Sequence, residues 1–185
     1  MVAMKTFEFE LVFRLGNDEH GEIWLDSLHE HGCDDATVAT GRVGVLVLQF
    51  VRSARSAGHA VESGICNTIK AIPHARFERA GPDLLNLTEL ADLFGCTKQN
   101  LSKYAARDSM RGRQPFPIPV VNGKSTYWHG AEVAAWLQRN ASLAIDEALS
   151  ELLGATRSLN QAREQIAQRD SAMGRRFIKL LSRVA

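Results

Sequence analysis

The stretch KTFEFELVFRL, residues 5–15, alternates without a break: Phe7, Phe9, Leu11, Phe13 and Leu15 fall on one side, with Thr6, Glu8, Glu10 and Arg14 opposite. Period two over that length is a β-strand with one buried and one wet face. Such a row of large apolar side chains needs a covering layer, so the chain must build a sheet and pack other elements on one side of it. An apolar fraction of 45% and a charged fraction of 23% over 185 residues agree with an ordinary folded core.

The following pattern supplies that cover. Ile23, Trp24, Leu25 and Leu28 have helical spacing, with Asn17 or Asp18 as a cap and Gly32 as a stop. Strands are expected near Asp35–Gly41 and Val43–Phe50, joined by TGRVG. A second helix then places Ala54, Ala57, Val61, Ile65 and Ile69 on one face and ends at Pro73, and ARFER supplies a last short strand. The order β-α-β-β-α-β is that of a ferredoxin-like domain, assigned to residues 1–82.

AGPD, residues 80–83, marks a boundary, because Gly-Pro stops a strand and resets the chain. Beyond it, residues 83–138 carry two short helical patterns, an Asn122-Gly123 hairpin signal between PVV and STYW, and a closing helix GAEVAAWL. Thr88 is read as the cap of the first short helix and Thr97 as the cap of the second, with Gly95 making the turn between them. Two helices joined by a short glycine-containing turn form a helix-turn-helix. Leu90, Ala91, Phe94, Leu101 and Tyr104 make its inner side. Lys98, Gln99, Asn100, Ser102, Lys103 and Arg107 are left pointing outward. Gln and Asn side chains pair bidentately with adenine and Lys donates to guanine, whereas cations lower on the helix touch phosphate.

Charge is local. The net charge is +1, yet 97–113 holds Lys98, Lys103, Arg107, Arg111 and Arg113 against Asp108 alone. In MRGRQP, Arg111 and Arg113 flank a glycine and either enter a narrow minor groove or contact phosphate, the second being the favoured reading.

LNLTELADLFGCTKQNLSKY and FPIPVVNGKSTYWHGAEVAAWL together resemble the DNA-binding domain of MerR-like and AlpA/excisionase-type winged-helix proteins, over about residues 84–138. The resemblance implies a wing formed by Val120–Tyr127, with Lys124 and Ser125 at its tip against the DNA backbone or minor groove. Many such proteins begin at this domain, whereas some 80 residues precede it here.

Residues 139–185 read as one long helix with a basic amphipathic tail. Ile145, Leu152, Leu159, Ile166 and Met173 recur every seven residues, with Ala148, Ala155 and Ala162 on the adjoining column. A sustained heptad calls for a partner helix, here a second copy of the chain. The tail GRRFIKLLSRV sets Phe177, Ile178, Leu181 and Val184 against Arg175, Arg176, Lys179 and Arg183, and either binds a partner or packs on the dimer.

Other chemistry finds little support. GKST at 123–126 lacks the upstream glycine of a phosphate-binding loop, because Ile118 stands there. His20, His29, His31 and Cys33 lack a second ligand pair, so no metal is expected, and neither a cofactor nor a catalytic set is assigned. Cys33, Cys66 and Cys96 are few and scattered, which fits reduced thiols in a cytoplasm. No apolar run is long enough to span a bilayer.

The α+β chain is therefore expected to be a homodimeric regulator that binds double-stranded DNA at an inverted repeat, bacterial or phage-encoded. A protein partner or small effector would be held by the N-terminal domain or the basic tail. The rival readings are an antitoxin-like protein that neutralises a partner, and an excisionase-like architectural factor.

Overall fold

The computed structural model describes residues 3–39, 41–106, 114–141, 143–169 and 171–182. Strand β1 (Lys5–Arg14) forms where the alternation is strongest and lies inside a four-stranded antiparallel sheet. The others are β2 (Ala36–Ala39), β3 (Val45–Ala54) and β4 (Arg76–Gly81), in the order β2-β3-β1-β4. Phe9 stands opposite Phe50 in the β1–β3 register, and their rings stack with centroids 5.0 Å apart. The five residues of the alternating apolar row are all buried.

The cover is built differently from the sequence reading. In place of a regular helix after β1 there is a 3-10 turn (Gly21–Trp24) leading into the short α1 (Leu25–Glu30). Neither Asn17 nor Asp18 caps it, and Ile23 and Leu25 are exposed, so Leu28 alone enters the core while Trp24 packs at its edge. The second helix, α2 (Ala57–Ala71), starts later than its apolar spacing implied, because the Ser56 hydroxyl accepts from the His59 N–H and fixes the N-terminus there. Ala54 therefore ends β3, Ile69 is exposed, and the buried face consists of Ala57, Ala60, Val61, Gly64, Thr68 and Ala71.

One charge lies within this core. Arg52, nearly buried, donates to both Asp35 carboxylate oxygens at 2.7 Å, to the Gly32 carbonyl at 2.7 Å and to Ser63 Oγ at 3.0 Å, and lies 4.6 Å over the Phe50 ring. Asp35 thus neutralises a guanidinium that would otherwise be stranded.

After Gly81 the chain passes directly into a second core. Here β5 (Leu84–Leu85) pairs with β7 (Thr126–His129), which pairs with β6 (Val121–Asn122). Packed with them are α3 (Leu87–Leu93), α4 (Lys98–Ala105) and α5 (Gly130–Asn140). Phe116 meets the Trp128 and Trp136 rings edge-on, at 6.2 and 5.1 Å. The two indole N–H groups donate to the carbonyls of Pro117 and Gln114, so the proline-rich segment is clamped by its own aromatics.

Helix α6 (Glu147–Arg169) corrects the reading of 139–185 as a dimerisation helix standing apart. Residues 143–146, ahead of α6, are not helical, and Ser171 caps a separate helix α7 (Ala172–Leu181), so the long helix is interrupted twice. Over its first half the heptad column is filled from within the chain. Leu152 is buried in the sheet core, with Ala148, Ala155 and Leu159 packed on the same core, while Ile145 packs on the second. Heptad spacing demands an apolar partner surface but does not say whose. Only Ala162, Ile166 and Met173, farther along, remain exposed.

Polar contacts fasten α6 along its length. Glu151 accepts from the Ala57 N–H at the start of α2 (2.9 Å), and Lys5 reaches Glu147 and Glu151 at 3.1 and 3.6 Å. Arg157 pairs with Glu132 of α5, and Arg163 pairs with Glu78 of β4. Asn160 closes the free edge of β4: its Oδ1 accepts from the Ala80 N–H (2.8 Å) and its Nδ2 donates to the Ala80 carbonyl (2.9 Å). An amide side chain thereby replaces the strand that is missing there.

Asn160→Ala is expected to lower stability by about 2 kcal/mol, since it strands strand-edge donors and acceptors. Asn160→Asp should cost more, because it removes the donor and adds charge beside Asp83, and urea midpoints of the three chains check the order. In thiol labelling, exposed Cys66 should react first and Cys96 more slowly. Cys33, whose thiol burial pushes upward, should react only on unfolding.

Candidate nucleic-acid interface

The α3–α4 pair is set by its caps. Asn86, not Thr88, begins α3: its side chain accepts from the N–H groups of Thr88 (2.8 Å) and Glu89 (3.1 Å), while Glu89 accepts from the Asn86 N–H (2.8 Å). This reciprocal box uses the residue one turn before Glu89, so Thr88 lies inside the helix. The helix ends with Gly95 at a φ of 62°, where the Cys96 N–H reaches back to the Ala91 carbonyl and the Gly95 N–H to Asp92. That left-handed position suits glycine and turns the chain sharply. Thr97 then caps α4 as expected, accepting from the Asn100 N–H at 3.2 Å.

Leu101 is fully buried and Tyr104 packs against Trp136 with centroids 5.1 Å apart, which fixes the rotation of α4 about its axis. Lys98, Gln99, Asn100 and Lys103 are left exposed, together with Thr97, and Ser102 is half-buried. The helix carries two lysines and no carboxylate, so its outer side is cationic and rich in amide donors and acceptors.

The hairpin forms where Asn-Gly signalled it, with a longer turn. Val121 pairs with Tyr127 and Asn122 with Thr126, leaving Gly123, Lys124 and Ser125 as a three-residue loop in place of the two-residue one expected. Asn122 is the last paired residue and not part of the turn, because the register is anchored from the other end, where Trp128 is buried. Lys124 and Ser125 are exposed at the tip. Arg107, Arg111 and Arg113 lie outside the described residues, as do Arg183 and Val184 of the tail.

Sequence reasoning missed the residues that hold this unit in place. Asp83, buried between the two cores, accepts through Oδ2 from Asn160 Nδ2 at 2.7 Å, and its Oδ1 lies 2.7 Å from His129 Nδ1. Its backbone carbonyl accepts from the Gly130 N–H at 2.8 Å. Next to it, buried Thr156 donates to the Pro82 carbonyl at 2.6 Å. Gly130 is required by space: a Cβ there would stand 2.7 Å from Leu153 Cδ2 and 3.2 Å from Leu85 Cδ1. These contacts join residues 46 and 77 positions apart, and no local pattern announces them.

Comparison with protein-family models, with curated proteins and with solved structures finds no match to this chain. Its site therefore has to be read from its own geometry. Among the described residues no group of His, Cys, Asp and Glu is arranged to hold a metal ion. No described helix is long and apolar enough to cross a membrane.

A groove of about 1000 Å³ lies at the junction of the two cores. It runs between the sheet, at Glu8, Glu10 and Val51, and the second unit, at Leu84 and Leu93, with Leu149 of α6 beside it.

The cap assignment has a direct check. Asn86→Ala should cost about 1 kcal/mol through loss of the box, while Thr88→Ala should stay within about 0.5 kcal/mol. Thermal unfolding of the two variants separates them.

Proposed function

We propose that the chain is a sequence-specific double-stranded DNA-binding regulator whose α4 enters the major groove and whose β6–β7 hairpin acts as a wing. What carries the reading is the outer side of α4: Lys98, Gln99, Asn100 and Lys103 are held exposed by a buried Leu101, beside a lysine-tipped hairpin. Residues early in such a helix contact base edges, which here means Lys98, Gln99 and Asn100, and Lys103 positions the helix on phosphate. In this reading 83–138 is a winged helix-turn-helix of the MerR-like or AlpA type. Residues 1–82 form a ferredoxin-like domain, a reading supported by their strand order β2-β3-β1-β4 and βαββαβ sequence. The protein acts as a cytoplasmic homodimer, repressing or autoregulating through an inverted repeat, with two recognition helices bound to one duplex. Tethering makes the second half-site contact effectively intramolecular.

The double substitution Gln99→Ala, Asn100→Ala should remove about 1–3 kcal/mol of discrimination per lost base contact. It should leave non-specific binding nearly unchanged. Lys103→Ala should weaken all sequences alike and reduce the salt slope by about one. Selection of fragments from a random DNA pool, followed by titration at several salt concentrations, measures both; equal loss of specific and non-specific binding in the double variant would overturn the reading.

A further inference from the structure

Past Asn160 the helix α6 leaves the body of the protein: from Gln161 to Arg169 its residues are exposed apart from Arg163, which still reaches Glu78. It ends in α7, and there the apolar residues find little cover. Ile166, Met173, Phe177, Ile178 and Leu180 are all between 44% and 62% exposed. Met173, Phe177 and Leu180 are spaced to share one stripe of α7, and Arg176 and Lys179 lie off it. Ser171 caps α7 by accepting from the Gly174 N–H, and Arg175 Nη1 donates to the Arg169 carbonyl at 2.6 Å. The arm thus ends in an amphipathic, cationic helix fastened to the last turn of α6.

The groove at the junction has the opposite character. Its lining includes seven carboxylates and two guanidiniums, and its floor includes apolar atoms of Phe9, Val51, Leu84, Leu93 and Leu149. Glu8 and Glu164 stand exposed on its walls. An acidic-walled apolar trough and a basic helix with an apolar stripe are complementary in charge and in surface type.

We propose that α7 of one copy of this chain seats in the junction groove of a second copy, and that the exchange is reciprocal. A two-fold axis lets each copy give one helix and receive one, so that both exposed stripes are covered at once and the assembly closes as a dimer. The proposal gives the homodimer of the preceding section a surface other than the heptad column, whose first half the chain has already used. It also places the dimer contact beside Leu84 and Leu93, next to the α3–α4 unit, so that seating the arm would set the spacing of the two α4 helices.

The test uses charge reversal on the full chain, with mass measured by light scattering after size exclusion at low salt. The wild-type chain should run at twice 20.4 kDa. Arg176→Glu with Lys179→Glu should be monomeric, and so should Glu8→Lys with Glu164→Lys. Mixing the two monomeric variants should give a heterodimer, because each groove then meets a helix of opposite charge. That rescue excludes misfolding as the cause of either loss.

A wild-type monomer, whether its arm is free or folded back on its own groove, would overturn the proposal. So would a dimer that neither reversal disturbs, or two monomeric variants that fail to pair. Capture of a monomeric wild-type chain by phosphatidylserine vesicles, and not by neutral ones, would reassign the arm to a membrane surface. Binding of the monomeric variants to a single half-site duplex reads α4 separately, so loss of that binding would count against the DNA reading while leaving the exchange intact.

Discussion

The structure depends on a carboxylate placed between two cores. Asp83 is fixed by α6 through Asn160, by the hairpin strand through His129, and by its own carbonyl to the start of α5. A buried carboxylate is expensive unless its oxygens are satisfied, and its two partners, His129 and Asn160, come from separate stretches of chain. The requirement works in both directions: the carboxylate needs its partners, and its partners acquire one permitted arrangement. Helix α6 adds the apolar half of the joint, since adjacent residues Leu152 and Leu153 enter different cores. Two small cores that would each be modest alone are thereby made to share a boundary.

Much of this was legible in the residues. The alternation in β1, the two short helices around Gly95, the Thr97 cap, the hairpin and the α5 pattern are all local signals, and each appears where local chemistry put it. Failures occurred first where two local signals compete and a cap decides between them. Thr88 and Asn86 are both competent caps, and the choice fell to Asn86 because Glu89 stands where the reciprocal contact can close. Ile69 matched a helical face whose phase is set by Ser56, not by apolar content.

The heptad column is the most instructive error. Ile145, Leu152 and Leu159 have the spacing of a coiled-coil seam, and the flanking alanines permit close approach. The same features suit a helix lying on a sheet and a neighbouring helix, which is what α6 does across β1, β4 and α2. The polar residues carried the distinguishing information. Glu151 flanks the buried column on the side of α2, and Thr156 and Asn160, four residues apart, flank it on the side of β4; all three make hydrogen bonds to backbone outside the helix. A seam between two identical helices would have no strand edge for them to satisfy. Of the residues proposed to touch DNA, those on α4 and the hairpin tip were placed by patterning alone; the joint that orients them came from contacts no window of sequence contains.

Placing neighbouring side chains of one helix in two different cores also limits how the molecule can change. Turning α6 about its axis to loosen one core drives the other residue out of its seat, so neither half can relax by itself. A residue inserted between Leu153 and Asn160 would rotate the latter by about 100° and detach the sheet edge from Asp83. The phase of this one helix is therefore fixed by both neighbours at once.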